Sequence, residues 1–278
     1  MIKRFEGRVA AVTGAGSGIG RALARQLVDR GTHVALCDID EDALAETVAQ
    51  CEGAAVKVSS ARVDVAARGE VFAWADRVVA DHGKVNLVFN NAGVALASTI
   101  AAMKYDDLEW LMNINFWGVV HGTKAFLPHL EASGEGHIVN VSSVFGLISV
   151  PAQAAYNASK FAVRGYTDAL RMELEAAESN VSSTTVHPGG IKTNIAKHAR
   201  MDPSVAGMAA DPGADFDKIA LTSPDKAARQ ILSAVEHNRR RVLVGPDAKA
   251  IDLVSRLPAG VYQRVLASGM RRQRRRTA

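Results

Sequence analysis

The chain has 278 residues, of which 48% are hydrophobic and 22% are charged, a composition typical of a globular domain with a well-buried core. Its formal net charge is +4, but segment 271–276 alone holds five arginines and no acid, so the rest of the chain is nearly neutral. A nucleic-acid-binding patch on the folded surface is therefore not expected.

Short apolar runs rich in β-branched residues alternate with helical patterns along the chain. This alternation is typical of βαβ units, and strands that are apolar throughout indicate a sheet buried on both faces. The sequence therefore predicts an α/β fold: a doubly wound, Rossmann-like parallel sheet of about seven strands with helices on both faces. The predicted strands are 8–13, 33–38, 56–63, 87–90, 136–142, 181–187 and 241–244, and the predicted helices are 19–30, 41–51, 68–82, 106–131, 154–177 and 224–238.

Two segments interrupt the alternation. Residues 189–223 combine prolines, glycines and small residues without a clear strand, and so long a connection is typical of a lid. After residue 245, spaced apolar residues followed by arginines predict one or two amphipathic helices. We therefore expect one Rossmann-like domain over 1–245, including the lid, and a helical extension with an arginine-rich tail over 246–278.

The N-terminal segment and the two cysteines bear on location. Residues 1–7 lack the apolar stretch of a signal peptide, and no run of about 18 apolar residues predicts a membrane span. Cys37 and Cys51 are too few for a disulfide framework, and reduced thiols are expected. These features predict a cytoplasmic protein.

The first predicted strand runs into a glycine-rich turn that opens a helix. Gly14, Gly18 and Gly20 follow a G-x-x-x-G-x-G pattern, whereas G-x-G-x-x-G fails because Ile19 stands at its third glycine position. Such a turn, here with Ser17 and Ile19 at the helix start, presents backbone amides and the positive helix end to a pyrophosphate. A dinucleotide site is the favoured interpretation, and a tight turn without a ligand is the alternative.

Asp38 ends the second predicted strand. An acid at this place accepts hydrogen bonds from the adenosine ribose and repels a 2′-phosphate, so we expect NAD, with NADP disfavoured. Neither Ser17 nor Ile39 supplies a basic group for that phosphate. The alternative is that Asp38 caps the following helix, which begins with acidic residues.

Tyr156 and Lys160 lie four residues apart and so share one face of a predicted helix. A free phenol has a pKa of about 10, and a neighbouring ammonium together with the cationic nicotinamide is expected to lower the pKa of Tyr156. The phenol would then take the proton of an alcohol while hydride leaves the carbon. Ser143, at the end of the fifth predicted strand, would hold the substrate oxygen, with Ser142 as the alternative.

These motifs resemble the short-chain dehydrogenase/reductase family over roughly residues 7–244. The resemblance rests on their order: the glycine turn, Asp38, Asn-Asn-Ala-Gly at 90–93, Asn115, Ser143, Tyr156 with Lys160, and Pro-Gly at 188–189. It implies a catalytic domain with NAD(P)-dependent, reversible hydride transfer between nicotinamide and a secondary alcohol or ketone. The family's serine-to-tyrosine spacing favours Ser143 over Ser142.

The resemblance also implies roles at positions that the pattern alone leaves open. Asn115 would hold a water linked to Lys160 through its side chain or a kink in its helix, and Asn-x-x-Gly spacing favours it over Asn113. A helix asparagine without a chemical role is the alternative. The remaining implied cofactor contacts are Asp64, Val65, Asn91, Ala92, Gly93, Pro188, Gly189, Ile191 and Thr193, besides Tyr156 and Lys160.

Two other classes of protein compete with this interpretation. A non-catalytic NAD-binding scaffold with a basic tail would not need to keep Ser143, Tyr156 and Lys160 together. A sugar-nucleotide epimerase or dehydratase of the extended branch usually has a different glycine spacing and a larger C-terminal domain.

The substrate is expected to be a small alcohol or ketone of apolar character, because apolar residues flank the serine and punctuate the lid, namely Val144, Phe145, Ile148, Val150, Ile195, Met201, Met208 and Phe216. No metal is expected, since the eight histidines show no ligand spacing. Relatives of this type imply a homo-oligomer, a tetramer or a dimer. The arginine tail is expected to be solvated, with a peripheral membrane element as the alternative.

Overall fold

In the computed structural model, which describes residues 5–53, 55–205 and 220–277, seven strands form one parallel sheet in the order β3-β2-β1-β4-β6-β7-β9. This confirms the predicted fold class. The order reverses between β1 and β4, and ligands bind at such a point beyond the carboxyl ends of the strands. In chain order the strands are β1 (Val9–Thr13), β2 (His33–Asp38), β3 (Val58–Arg62), β4 (Leu87–Asn90), β5 (Leu96–Ala97), β6 (Gly136–Val141), β7 (Val181–Pro188), β8 (Arg200–Met201) and β9 (Arg241–Val244), of which β5 and β8 form a separate parallel pair.

Helices cover both faces of the sheet, as predicted. In chain order they are α1 (Gly18–Val28), α2 (Glu41–Ala49), α3 (Arg68–His82), α4 (Tyr105–Met112), α5 (Gly118–Ala132), α6 (Ala154–Ala176), α7 (Pro224–Glu236), α8 (Pro246–Ser255) and α9 (Ala259–Thr277). Side chains of α1, α2 and α7 join one buried cluster, and those of α3, α5 and α6 join the other.

Strand β1 shows why the strand sequences are apolar throughout. Ala10 and Val12 belong to the first buried cluster, while Val9 and Ala11 belong to the second. Successive side chains of a strand point to opposite faces, so a sheet covered on both faces needs apolar residues at every position.

One predicted helix, 106–131, is divided in the structure. Helix α4 ends at Met112, Asn113–Trp117 forms a π-helical turn, and α5 begins at Gly118. Such a turn accommodates one extra residue, which is often found at functional sites. The prediction of one uninterrupted helix was wrong because apolar periodicity does not register a single widened turn.

The lid contains a short strand that the sequence did not indicate, whereas the C-terminal extension is helical as expected. The expectation that 189–223 holds no strand was wrong at Arg200 and Met201, which pair with Leu96 and Ala97. The extension forms α8 and α9, within the predicted range of one or two helices. Its boundary at residue 245 stays a prediction. Within the described residues, no helix is both long enough and apolar enough to span a bilayer.

Candidate functional site

The glycine turn connects β1 to the N-terminus of α1. Gly14 has a φ of +65°, a left-handed conformation that favours glycine. A Cβ on Gly20 would lie 2.0 Å from the carbonyl oxygen of Gly14, so the helix approaches the turn too closely for any side chain. Ser17 stands at the N-cap of α1 without a side-chain cap bond. The turn therefore leaves the first amides of α1 facing outward, as an anion site requires.

Asp38 supports this turn from the neighbouring strand. Its Oδ2 accepts a hydrogen bond of 2.8 Å from the amide of Gly16, and its Oδ1 accepts one of 3.1 Å from the amide of Asp40. The N-cap of α2 is Asp40, whose side chain accepts from Ala43, so the interpretation of Asp38 as the helix cap was wrong. Its carboxylate instead lies beside the glycine turn.

Arg21 is a support that sequence reasoning missed. Its Nε donates to the carbonyl of Gly16 at 3.1 Å and to Oγ1 of Thr47 at 2.9 Å, and its Nη2 reaches Glu46 at 2.8 Å. The guanidinium thereby ties the glycine turn to α2. The glycine pattern gave no signal for it, because Thr47 and Glu46 belong to α2, about 25 residues further along the chain.

Two further predicted positions follow β3 on the same edge. The Asp64 carboxylate accepts a hydrogen bond of 2.9 Å from the amide of Ala66, and Val65 is buried. The amide of Val63 donates to the carbonyl of Asp38, which places this segment beside the end of β2. Asp64 and Val65 thus lie along the edge that carries Asp38.

The Asn-Asn-Ala-Gly segment after β4 is fastened to the glycine turn. The side-chain amide of Asn91 donates to the carbonyls of Thr13 at 3.0 Å and Gly14 at 3.1 Å. The backbone amides of Asn91 and Ala92 both donate to Oγ1 of Thr13 at 3.0 Å. These hydrogen bonds therefore hold the glycine turn after β1 and the Asn-Asn-Ala-Gly segment after β4 in a fixed position relative to each other.

Asn115 lies in the π-helical turn and is fully buried, whereas Asn113 is exposed. Its Oδ1 accepts from the amide of Val94 at 2.8 Å, and its Nδ2 donates to the carbonyl of Val94 at 2.9 Å. A Cβ on Gly93 would lie 3.2 Å from this Oδ1 and 3.5 Å from Nζ of Lys160. The structure thus brings Asn115 and Gly93 next to Lys160 and favours Asn115 over Asn113.

Ser143, Tyr156 and Lys160 converge where β6 ends against α6. The Ser143 hydroxyl accepts a hydrogen bond of 3.1 Å from the Phe145 amide and is close enough to the Tyr156 phenol to lower its pKa. The Nζ of Lys160 lies 5.5 Å from the centre of the Tyr156 ring and donates to the carbonyl of Val141 at 3.0 Å. Ser142 points elsewhere, since its hydroxyl donates to the carbonyl of Lys160 at 2.7 Å. Of the two serines, Ser143 is therefore the one that lies beside the phenol of Tyr156.

Burial is the largest cause of the pKa shifts of Tyr156 and Lys160. It raises the pKa of Tyr156 to about 12, an effect that the hydrogen bond from Ser143 only partly opposes. It lowers the pKa of Lys160 to about 8. Desolvation disfavours the charged form of each group, which gives the two shifts their opposite signs. The expected lowering of the phenol pKa by Lys160 together with the cationic nicotinamide stays a prediction.

The turn after β7 forms the opposite wall of the crevice. Ile191 is buried, and a Cβ on Gly18 would lie 3.0 Å from the Thr193 methyl carbon, so this turn faces the glycine turn. Pro188 ends β7, and Gly189 follows it with its amide bonded to the carbonyl of Val244. His187, the residue before Pro188, is buried, and burial lowers its pKa to about 4.

The lid is partly described. Arg200 stacks on the Trp110 ring at 3.6 Å from its centre and bonds Asp107 at 2.8 Å, so the β5–β8 pair is anchored to α4. Met201 is exposed. Met208 and Phe216 lie outside the described residues. In the part of the chain that the structure covers, no group of three or more histidine, cysteine, aspartate or glutamate side chains could hold a metal ion.

The chain is similar in sequence and in structure to known dehydrogenases. Residues 8–204 match the family model described as short chain dehydrogenase. The SadH protein of Mycobacterium tuberculosis is 50% identical over 268 residues, covering 96% of each chain. A short chain dehydrogenase/reductase from Burkholderia phymatum in complex with NAD has a TM-score of 0.82 and 34% identity, covering 92% of this chain and 94% of that one. A short chain dehydrogenase from Mycobacterium paratuberculosis bound to NAD has a TM-score of 0.72 and 26% identity, covering 82% and 91%.

Proposed function

This chain belongs to the short-chain dehydrogenase/reductase family, and from that premise we propose an NAD-dependent oxidoreductase that moves hydride reversibly between nicotinamide and the carbon of a secondary alcohol or ketone. The observation that carries the proposal is the convergence of Tyr156 with Lys160, whose buried Nζ lies 5.5 Å from the centre of the Tyr156 ring, and with the Ser143 hydroxyl, which acts on the phenol pKa. A hydroxyl, a phenol and an amine at one place can bind one substrate oxygen and move its proton.

The edge of the sheet fits a dinucleotide. The outward amides of α1 suit a pyrophosphate, and the Asp38 carboxylate beside Gly16 suits ribose hydroxyls while repelling a 2′-phosphate. Exposed Ile39 offers no charge to that phosphate, which supports NAD over NADP. When bound, NAD supplies the nicotinamide that accepts or returns hydride. The residues that would hold it are Gly14, Ser17, Gly18, Ile19, Gly20, Asp38, Asp64, Val65, Asn91, Ala92, Gly93, Tyr156, Lys160, Pro188, Gly189, Ile191 and Thr193.

The proton is carried by Tyr156. With a pKa raised to about 12, the phenol is protonated at neutral pH and can act as the acid when a carbonyl is reduced. In the oxidation direction, the positive charge of the oxidised nicotinamide favours phenolate, which accepts the hydroxyl proton of the substrate. Ser143 orients the same oxygen and stabilises negative charge on it.

Asn115 acts through its helix in this proposal. Its side-chain atoms already bond Val94 and Ser159, at 2.8 to 3.3 Å. The π-helical turn frees backbone groups beside Lys160, and these are the groups that would hold a relay water. Asn115 is therefore needed for the shape of the turn.

An apolar substrate is supported by the residues around Ser143. Val144 and Ile148 are buried, and the Phe145 ring meets the Tyr156 ring edge-on at 6.2 Å between centres. A pocket of this kind binds apolar surface and uses a few polar groups to fix orientation. The substrate is thus a small apolar ketone or secondary alcohol.

A homo-oligomer is supported by apolar side chains on the helices next to the site. Trp117, Phe161 and Met172 are 46%, 39% and 60% exposed, although they belong to the π-helical turn and α6. Burying such side chains against a second copy would be favourable. The proposal includes a cytoplasmic location, supported by the free, buried thiols of Cys37 and Cys51.

The function is tested by a panel of secondary alcohols and ketones assayed through the absorbance of reduced nicotinamide, with NAD and NADP in parallel. Turnover with NAD is expected, and Tyr156→Phe should abolish it while NAD still binds. Tyr105→Phe, at a tyrosine that is 81% exposed at the start of α4, serves as the matched control and should keep turnover. Normal turnover by Tyr156→Phe would refute the proposed acid and base.

A further inference from the structure

The carboxylate of Asp247 connects α8 to the turn after β7. Strands β7 and β9 are parallel neighbours, with Pro188 paired to Val244, so the segments that follow them leave the sheet side by side. The Oδ2 of Asp247 accepts a hydrogen bond of 2.5 Å from the amide of Gly190. A side chain from the C-terminal extension therefore reaches into the turn that carries Ile191 and Thr193.

Gly189 makes room for this carboxylate. A Cβ at position 189 would lie 2.1 Å from Oδ2 and 2.4 Å from Cγ of Asp247. A Cβ on Gly245, which has a φ of +101°, would lie 2.5 Å from Oδ1 of the same carboxylate. Two glycines at the ends of neighbouring strands thus leave a space that one carboxylate fills.

A second attachment holds the turn from the other side. The amide of Lys192 donates to the carbonyl of Thr222 at 2.9 Å, and the amide of Thr222 donates to the carbonyl of Gly190 at 3.3 Å. Asp247 and Thr222 together fix the peptide groups on both sides of Ile191. Within the described residues, Oδ1 of Asp247 is buried without a hydrogen-bond partner, so its hold on the turn rests on the bond through Oδ2.

We propose that Asp247 is a positioning residue for the nicotinamide half of the cofactor site. Its carboxylate fixes the Gly189–Gly190 peptide and thereby sets the position of Ile191 and Thr193 opposite the glycine turn. Hydrogen bonds from an amide to a charged carboxylate are stronger than neutral ones, which suits a clamp on a glycine-rich segment. The inference rests on the proposed NAD site. It adds the first turn of α8 to the elements that shape this site.

Calorimetric titration of the full chain with NAD and with ADP-ribose tests this role. ADP-ribose keeps the adenosine, the pyrophosphate and the second ribose but lacks the nicotinamide ring, so its binding should depend much less on the turn after β7. Asp247→Ala is expected to weaken NAD binding about tenfold and to leave ADP-ribose binding nearly unchanged. Asp247→Asn keeps an oxygen that can accept from Gly190 and should retain most of the NAD affinity.

Asp252→Ala is the matched control. It removes an α8 carboxylate that bonds Arg241 and Arg256 and does not contact the turn. It should lower the melting temperature without changing the ratio of the two affinities. Asp247→Ser replaces Asp247→Ala if the latter does not fold.

A double-mutant cycle adds an independent check. Gly189→Ala should weaken NAD binding in the natural chain but cost little more once Asp247 is Ala, because the clash is then gone. Equal weakening of NAD and ADP-ribose by Asp247→Ala, or no weakening, overturns the inference while leaving the proposed function intact. A natural chain that binds neither ligand refutes the proposed function itself.

Discussion

The Nδ1 of His187 lies 2.8 Å from the backbone oxygen of Ser143 and donates to it, joining the end of β7 to the residue that orients the substrate. Both residues are buried, and the Nε2 of His187 has no hydrogen-bond partner within the described residues. The imidazole must therefore stay neutral, because a proton on Nε2 would bury an unpaired charge.

This neutral histidine predicts a loss of stability in acid. Burial lowers the pKa of His187 from 6.5 to about 4, so between those pH values the unfolded chain binds a proton that the folded chain does not. Stability is thus fully present above pH 6.5 and falls as the pH drops, by about 2 kcal/mol at pH 5 from this residue. Urea unfolding of the natural chain and His187→Asn, which keeps a donor but does not titrate, measures the difference. Identical pH dependence in the two proteins would contradict it.

The two adjacent serines should differ in their effect on turnover. Ser143→Ala removes the hydroxyl beside the Tyr156 phenol and should reduce turnover about a hundredfold; because this hydroxyl also accepts from the Phe145 amide at 3.1 Å, the change should cost about 1 kcal/mol of stability as well. Ser142→Ala removes the bond to the Lys160 carbonyl and should cost about 1 kcal/mol of stability while keeping most turnover. Steady-state kinetics and thermal melts measure both effects. A larger loss of turnover in Ser142→Ala than in Ser143→Ala would reverse the assignment.

The phenol of Tyr156 should titrate differently with and without oxidised cofactor. Because burial raises its pKa to about 12, the tyrosinate absorbance of the natural chain and Tyr156→Phe should agree up to about pH 10 without NAD. Saturating NAD adds a positive charge, so the natural chain should gain one phenolate in this range. Because phenolate is the proposed base in alcohol oxidation, the rate of oxidation should increase as the pH rises. Titration curves that NAD does not shift would exclude Tyr156 as the base.

Cofactor preference should depend on Asp38. Asp38→Ser combined with Ile39→Arg replaces an anion by a cation where a 2′-phosphate would lie, and should raise the affinity for NADP relative to NAD about tenfold or more. Asp40→Ser is the control, since Asp40 caps α2 and should affect only stability. Fluorescence titration with both reduced cofactors gives the ratio. An unchanged ratio in the double variant would place the ribose elsewhere.

The two C-terminal helices should differ when they are removed. Deleting 259–278 takes away α9, whose described side chains are mostly exposed and whose Tyr262 hydroxyl accepts a hydrogen bond of 3.5 Å from the Ser149 amide. Deleting 246–278 also removes Asp247 and the fully buried Ala248. The shorter deletion should keep NAD binding and the longer one should lose most of it. Vesicle sedimentation of the first variant also tests the arginine tail: loss of binding to anionic vesicles would identify a membrane element.

Much of the site could be predicted from the sequence because its members are set by local geometry. The spacing of Tyr156 and Lys160 is one turn of a helix, and the glycine turn is defined by seven consecutive positions. The choice between Ser143 and Ser142 was harder to make from the sequence. Adjacent residues at a strand end point in opposite directions, and which of them faces α6 depends on how the helix lies on the sheet.

Other parts of the site had no signal in the sequence. The sequence alone indicates only that Arg21 lies on a helix; its contacts with α2 appear in the folded chain. Likewise, the sequence places Asp247 at the start of an appended helix, and its contact with Gly190 follows only from the pairing of β7 with β9. The effect of burial on the pKa of Tyr156 could not be predicted for the same reason, since it depends on how completely the folded chain removes the phenol from water.

The amino-acid sequence by itself determined the layered α/β fold, the edge of the sheet where a dinucleotide belongs, and the order of the residues that would serve it. These follow from periodicity and from strand ends, which are properties of neighbouring residues. The tertiary structure decided how the π-helical turn buries Asn115 and how far burial shifts the pKa values of Tyr156 and Lys160. It also decided that the Asp247 carboxylate accepts a hydrogen bond from the Gly190 amide. Such features depend on contacts between residues far apart in the chain, and only packing fixes those contacts.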